Sequence, residues 1–172
     1  MNLHFKKCTF DDLETLRIIS YQTFYDTFSE SNTPSSIDAY MDNAFQIKKL
    51  ESELSNPHSA FYFLYNEDEI AGYVKLNEYE AQTDIHDPNS IEVERIYLLE
   101  DFQGKGLGKA LIDKAIDVAH NVKKDYLWLG VWEKNEKAIA FYKRNGFFKI
   151  DQHSFFMGDE EQTDYIMRKD LK

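Results

Sequence analysis

The stretch Gln103-Gly104-Lys105-Gly106-Leu107-Gly108-Lys109-Ala110 lies between an apolar run at residues 91–99 and a helical pattern from about residue 106 to residue 122. Small residues there let the backbone approach a ligand, and successive N–H groups at a helix start, with its partial positive charge, suit a pyrophosphate. Lys105 and Lys109 can add point charges. Glycines also serve simply to turn a chain into a helix, so the surroundings decide between the two readings. Two familiar phosphate loops fail on spacing. A dinucleotide-binding fingerprint needs a small residue three places after its second glycine, where Lys109 stands. A P-loop needs four residues between Gly and Gly-Lys and then Ser or Thr, whereas Gly104 to Gly108 encloses three and Ala110 follows Lys109. Kinase and ATPase chemistry therefore loses its key parts.

Outward from this stretch the order is strand (91–99), glycine turn, helix (106–122), strand (126–132), helix (135–145), a βαβα unit. Leu107, Leu111, Ala115, Val118 and Val122 form the apolar stripe of the first helix, and Gly146 is the left-handed residue expected after the second. Strand-like runs at 147–150, 154–157 and 163–168 follow, divided by the acidic turn Gly158-Asp159-Glu160-Glu161. Upstream, residues 3–8 read as a strand. Thr9 caps a helix whose first turn holds Asp11 and Asp12, with Leu13, Leu16, Phe24 and Phe28 on one face. Thr33-Pro34 starts a second helix, and residues 47–54 make a third that stops before Asn56-Pro57. Runs at 60–65 and 69–79 flank Asn66-Glu67-Asp68 as a hairpin, and the polar residues 80–89 read as an exposed loop. The 172 residues show no composition break, linker or repeat, so the expectation is one α/β domain over 1–172, a mixed sheet flanked by helices.

Composition narrows the function. Hydrophobic residues at 42% and aromatics at 15% exclude disorder, and no run approaches the ~20 apolar residues that span a bilayer. Twenty Lys and Arg against 31 Asp and Glu give a net charge of −11, so neither nucleic acid nor an anionic membrane is an expected partner. The same charge would concentrate cationic small molecules, although solubility alone also explains an acidic surface. Cys8 is the only cysteine, and residues 1–12 lack a signal-peptide core, which together point to the reducing cytoplasm. His4, His58, His86, His120 and His153 show no ligand spacing with one another or with Cys8, so no metal is expected. Cys8 reads as a packed thiol rather than a nucleophile, so group transfer would be direct.

Gln103, Gly106 and Gly108 match in full the pattern Gln/Arg-x-x-Gly-x-Gly/Ala, and Asn135, Ala138, Phe141-Tyr142 and Gly146-Phe147 follow the next strand. On these two motifs the chain is identified as a member of the GNAT superfamily, the Gcn5-related N-acetyltransferases, a resemblance running along essentially the whole chain. Trp128-Leu129-Gly130-Val131-Trp132-Glu133-Lys134-Asn135 and the run from His153 to Thr163 further resemble the spermidine/spermine N-acetyltransferases of the bacterial Pai type.

The resemblance implies the GNAT fold and acetyl-CoA as co-substrate. The backbone of Ile96, Tyr97 and Leu98 would pair with the pantetheine arm along a splayed central strand. The loop Gln103, Gly104, Lys105, Gly106, Leu107, Gly108 and Lys109 would hold the pyrophosphate. Asn135 would contact the cofactor from the next helix, and Lys143 would meet the nucleotide phosphate. Transfer to an amine requires the nitrogen's lone pair freed, the carbonyl polarised and the leaving thiolate stabilised. Tyr142 matches the family's general acid and could otherwise be a core aromatic. Glu94 matches the carboxylate acting as general base, directly or through water, with Glu92 sharing its strand face as the reserve; a salt-bridged solvent face is the plain alternative. The expected acceptor is a polyamine, spermidine or spermine, with Tyr25, Asp26, Glu30, Glu78, Glu80 and Glu133 as candidates for its groove. A protein amino terminus, a lysine side chain or an aminoglycoside would keep the same cofactor. A non-catalytic acyl-CoA-binding regulator is the reading from another class, and it needs neither Tyr142 nor Glu94. A homodimer is compatible with the sequence, which does not specify the number of copies.

Overall fold

The computed structural model describes residues 1–172. Its strands are β1 (Leu3–Lys7), β2 (Ser59–Asn66), β3 (Glu69–Asn77), β4 (Ser90–Leu98), β5 (Tyr126–Trp132), β6 (Phe148–Met157) and β7 (Glu160–Asp170). Its helices are α1 (Leu13–Phe28), α2 (Pro34–Ala44), α3 (Ile47–Ser55), α4 (Leu107–Asn121) and α5 (Glu136–Arg144). All seven strands join one sheet in the order β1-β2-β3-β4-β5-β7-β6. Every neighbouring pair is antiparallel except β4 and β5. A parallel pair needs a crossover, and α4 supplies it. The mixed α/β architecture read from the sequence is the one observed.

Local chemistry explains the element ends. Thr9 accepts from the Asp11 N–H and exchanges bonds with Asp12, but this capping box closes a single 3-10 turn at Phe10–Asp12 before α1 begins. Thr33 caps α2, with Pro34 in its first turn. Asn135 accepts from the Ala138 N–H to start α5, and Gly146, at φ 91°, ends it.

The sheet separates two cores. On one face Leu107, Leu111, Ile112, Ala115 and Ala119 of α4, with Ile139 and Tyr142 of α5, pack on Val74, Leu76, Ile91, Val93, Leu127 and Leu129. On the other, Leu16, Phe24, Ile37, Met41, Phe45 and Leu50 of α1, α2 and α3 cover Phe61, Phe63, Tyr73 and Trp132. Val122, assigned above to the α4 stripe, is exposed, because the helix ends before it.

The segment after β3 is a largely exposed loop, as the sequence predicts, except at one residue. Its Gln82 is 2% exposed, takes the Trp128 indole N–H at 2.6 Å and the Ser90 hydroxyl at 2.9 Å, and sits over the start of β4 and β5. Buried Lys124 holds the same segment through Glu78 (3.2 Å) and the Pro88 carbonyl (2.7 Å). Polarity marked Gln82 as exposed with the rest of the loop, yet its amide is buried and satisfied by Trp128 and Ser90.

Candidate active site

β4 and β5 pair over only three positions, Ser90 with Tyr126, Ile91 with Leu127 and Glu92 with Trp128. Beyond Glu92, β4 continues its ladder with β3, and β5 continues with β7. The facing edges at residues 93–98 and 129–132 therefore diverge and leave backbone donors and acceptors unpaired by any strand. The cause is local. Register passes from Lys75 opposite Arg95 to Leu76 opposite Val93, so Glu94 is an extra residue, a bulge that bends and twists β4.

The wedge opens into a cleft of about 1220 Å³, lined along β4 by Glu92, Glu94, Ile96, Tyr97 and Leu98. At the far end of β4, Gln103, Gly104, Gly106, Leu107, Gly108 and Lys109 complete its wall. Gly104 and Gly106 have φ of +73° and +80°, the left-handed region that favours glycine, and the start of α4 has no side-chain cap. Its first N–H groups and positive dipole end thus lie beside the cleft. The third glycine has another reason: a Cβ on Gly108 would stand 3.1 Å from the Phe141 ring, so it lets α4 and α5 approach. An extended ligand with a phosphate at one end fits donors arranged this way.

The other candidates divide. Asn135 and Tyr142 line the cleft, the Asn135 side-chain oxygen being engaged in its cap. Gln103 donates to the Leu98 carbonyl at 3.3 Å and ties the loop to the end of β4. Lys109 pairs with Asp113 at 2.8 Å on the surface. Lys105, its ammonium 5.7 Å from the Phe102 ring centroid, and Lys143 lie outside the lining, where Lys137 and Arg144 stand instead. Tyr142 is 8% exposed, its ring packed edge-on against Phe141 and Phe147, and burial alone pushes its hydroxyl above the ordinary tyrosine range.

The bulge also decides the electrostatics. Glu92, Glu94 and Arg95 share one side of β4, whereas strict alternation would send Arg95 to the other. Glu94 meets Lys75 at 2.8 Å and Arg95 at 3.1 Å and accepts from Asn77 at 2.8 Å. Glu53 of α3 closes the network, 3.1 Å from Lys75 and 3.2 Å from Arg95. Desolvation alone would raise the Glu94 titration, but Arg95 and Lys75 outweigh it and bring it down to about 2. Glu92 has only neutral partners: the Thr83 N–H at 2.8 Å, the Thr83 hydroxyl at 2.5 Å and Asn77 at 2.9 Å. Burial and the nearby Glu94 charge raise its titration above the ordinary value. One strand thus presents a carboxylate pinned by two cations, its titration drawn down, and a second whose titration burial and its neighbour push up. Cys8 is buried in the core beneath α1, its thiol pushed up to about 12 by desolvation.

Of the groove candidates, Asp26 and Glu30 line the cleft, while Tyr25, Glu80 and Glu133 do not and Glu78 is taken by Lys124. Sequence reading missed Thr83, Asp84 and Asp164, which line it too. Nothing local marks them, since they arrive from the β3–β4 segment and from β7.

Comparison with known proteins agrees with this geometry. A protein of Lactobacillus delbrueckii subsp. lactis named as an uncharacterized N-acetyltransferase is 42% identical over 160 residues, 93% of this chain and 92% of its own. The spermidine N(1)-acetyltransferase of Thermoplasma acidophilum is 25% identical over 175 residues, covering 98% of each chain. The crystal structure of the PaiA N-acetyltransferase of T. acidophilum in complex with coenzyme A superposes with a TM-score of 0.81, at 23% identity over 99% of this chain and 100% of that one. The family model described as "Acetyltransferase (GNAT) family" matches residues 21–147, and the chain belongs to that family of N-acetyltransferases.

Proposed function

We propose that this protein transfers the acetyl group of acetyl-CoA directly to a primary amine of a polyamine such as spermidine. The observation that carries this reading is one continuous cleft, with uncapped helical N–H groups at one end and a rim holding Asp26, Glu30 and Asp84. A net charge of −11 and the spermidine-acetylating relative support the acceptor class.

Acetyl-CoA supplies the activated acyl carbon and a thiolate leaving group. The backbone of Ile96, Tyr97 and Leu98 aligns it, the first turn of α4 with Gln103 and Gly104 holds its pyrophosphate, and Asn135 borders it from α5. Tyr142 keeps its proton at neutral pH and offers it to the departing sulfur. With a titration near 2, Glu94 is a poor acceptor for a proton from an ammonium of pKa ~10. The acceptor's proton passes instead to Glu92 through the Thr83 hydroxyl that lines the cleft. Glu94 keeps Lys75 and Arg95 neutralised beside it.

Spermidine is expected to show a specificity constant at least ~10-fold above that of an alkyl monoamine of similar length. The ratio should shrink as salt screens the exposed acids of the rim over a Debye length of about 10 Å at 0.1 M. Initial rates with spermidine, spermine, butylamine and lysine-bearing or free amino-terminal peptides test this, and a preference for peptides would overturn the polyamine reading.

Acetyl-CoA at 100 times its dissociation constant should add about 2.7 kcal/mol to stability, read as a thermal shift. Gly106→Val should remove that shift. Open space surrounds a Cβ at 106, so the free protein suffers only the left-handed backbone, about 1–2 kcal/mol, while the branched side chain occupies the phosphate approach. An undiminished shift would move the pyrophosphate elsewhere.

A further inference from the structure

We propose that Asp164 and the aromatic side chains around it form a subsite for a second, non-reacting ammonium group of the acceptor. This rests on the polyamine reading above and names the group that enforces it.

Asp164 lies on β7, opposite Trp132 of β5 in register, and lines the same cleft as Tyr142 and Glu92. Its carboxylate leans over Gly130, where a Cβ would stand 3.2 Å from Oδ2. Gly130 is two residues beyond the last β4–β5 pair, so the carboxylate stands at the border of the wedge. A side chain at 130 would fill that space.

The other carboxylates of the wedge are satisfied: Glu94 by Lys75 and Arg95, Glu92 by Thr83 and Asn77. Asp164 has neither a cation nor a hydrogen-bond donor. Desolvation alone raises its titration, to about 6. The cations nearby are placed elsewhere: the Lys134 ammonium lies 6.0 Å from the Trp132 ring centroid, and Arg95 is paired with Glu94 and Glu53. Tyr40 of α2 brings a phenol, and His153, across from it on β6, is engaged by Asp84 and Asp151. Trp132, Phe28, Tyr40 and Phe155 line the same cleft, with the Trp132 and Phe28 ring centroids 5.7 Å apart. A lone carboxylate among aromatic faces suits an alkylammonium, which gains an ion pair and cation–π attraction while its methylenes replace water. In a polyamine the nitrogen bound there stays protonated, and its neighbour one spacer away is free to lose its proton and react.

Acceptor kinetics of Asp164→Asn, with thermal melting of the ligand-free protein, test the subsite. The variant should lower kcat/KM for spermidine at least ~10-fold, mainly through KM, and change kcat/KM for butylamine less than ~2-fold. Removing an uncompensated, desolvated charge should also raise the apo Tm at pH 7.5, by about 3 °C or more. A loss of spermidine rate through misfolding would instead lower Tm and spoil both amines, and Asp164→Glu, which keeps the charge, should then retain the preference. If wild type prefers spermidine and Asp164→Asn preserves that preference, the subsite is wrong and the polyamine reading stands. Equal use of spermidine and butylamine by wild type overturns the polyamine reading itself, and the subsite with it. An equal fall of kcat for both amines would make Asp164 part of the proton path and overturn the recognition role.

Discussion

Tyr142→Phe is expected to lower turnover about 10²-fold while leaving the fold and acetyl-CoA affinity intact. The packing of residue 142 comes from its ring, which meets Phe141 at 5.5 Å and Phe147 at 5.6 Å between centroids, and phenylalanine keeps both contacts. Only the hydroxyl is lost. A hydrogen bond to a charged group contributes about 1.5–3 kcal/mol, and at 1.36 kcal/mol per tenfold this corresponds to roughly 10- to 150-fold in rate. The interaction is absent in the ground state, where the sulfur carries no charge, so the loss belongs in kcat rather than in KM. Burial holds the hydroxyl protonated across the neutral range, so the defect should be flat with pH there. Transfer at the native rate by the variant would return Tyr142 to a purely packing role.

Glu94→Gln is expected to cost about 3–5 kcal/mol of stability, the range for removing one partner of a buried ion pair. Lys75 and Arg95 have side chains only 4% and 10% exposed, and without the Glu94 charge two cations would share Glu53 alone. At about 2–4 °C per kcal/mol, melting should fall by roughly 6–20 °C. The pH dependence has a definite sign. The Glu94 titration lies below its ordinary 4.5, at about 2, so its contribution is fully present above pH 4.5 and is lost as pH falls toward 2. Acid melts of wild type should decline through that window, and the variant should lack that component. A Tm within 1–2 °C of wild type would show that Lys75 and Arg95 are solvated instead.

Helix α4 and its glycine loop, the βαβα order and the two motifs around Gln103 and Tyr142 were legible in the sequence because each rests on short-range rules. A helix needs its period and its cap, and a left-handed turn needs glycine, and both are written within a few residues. Gly108 shows the limit. Its spacing is part of the motif, but its packing against Phe141 involves a residue 33 positions away.

The base assignment failed to resolve for the same reason. Alternation along β4 puts Glu92 and Glu94 on one face, yet which of them seeks a proton depends on Lys75, Asn77, Thr83 and Glu53, brought from β3, the segment after it and α3. A bulge adds one residue to one strand and reverses the facing of everything beyond it, and only the pairing with β3 reveals it. Exposure misled at Gln82, because polarity is read residue by residue while burial is decided by what folds over it. The sequence alone thus determined the helices, the βαβα order, the glycine turn before α4 and the family, all properties of neighbours along the chain, whereas the runs at 147–150 and 154–157 proved to be one strand. Tertiary structure alone decided the direction in which the titrations of Glu92 and Glu94 move and the company of Asp164, because desolvation and Coulomb forces act through space between groups the chain holds far apart.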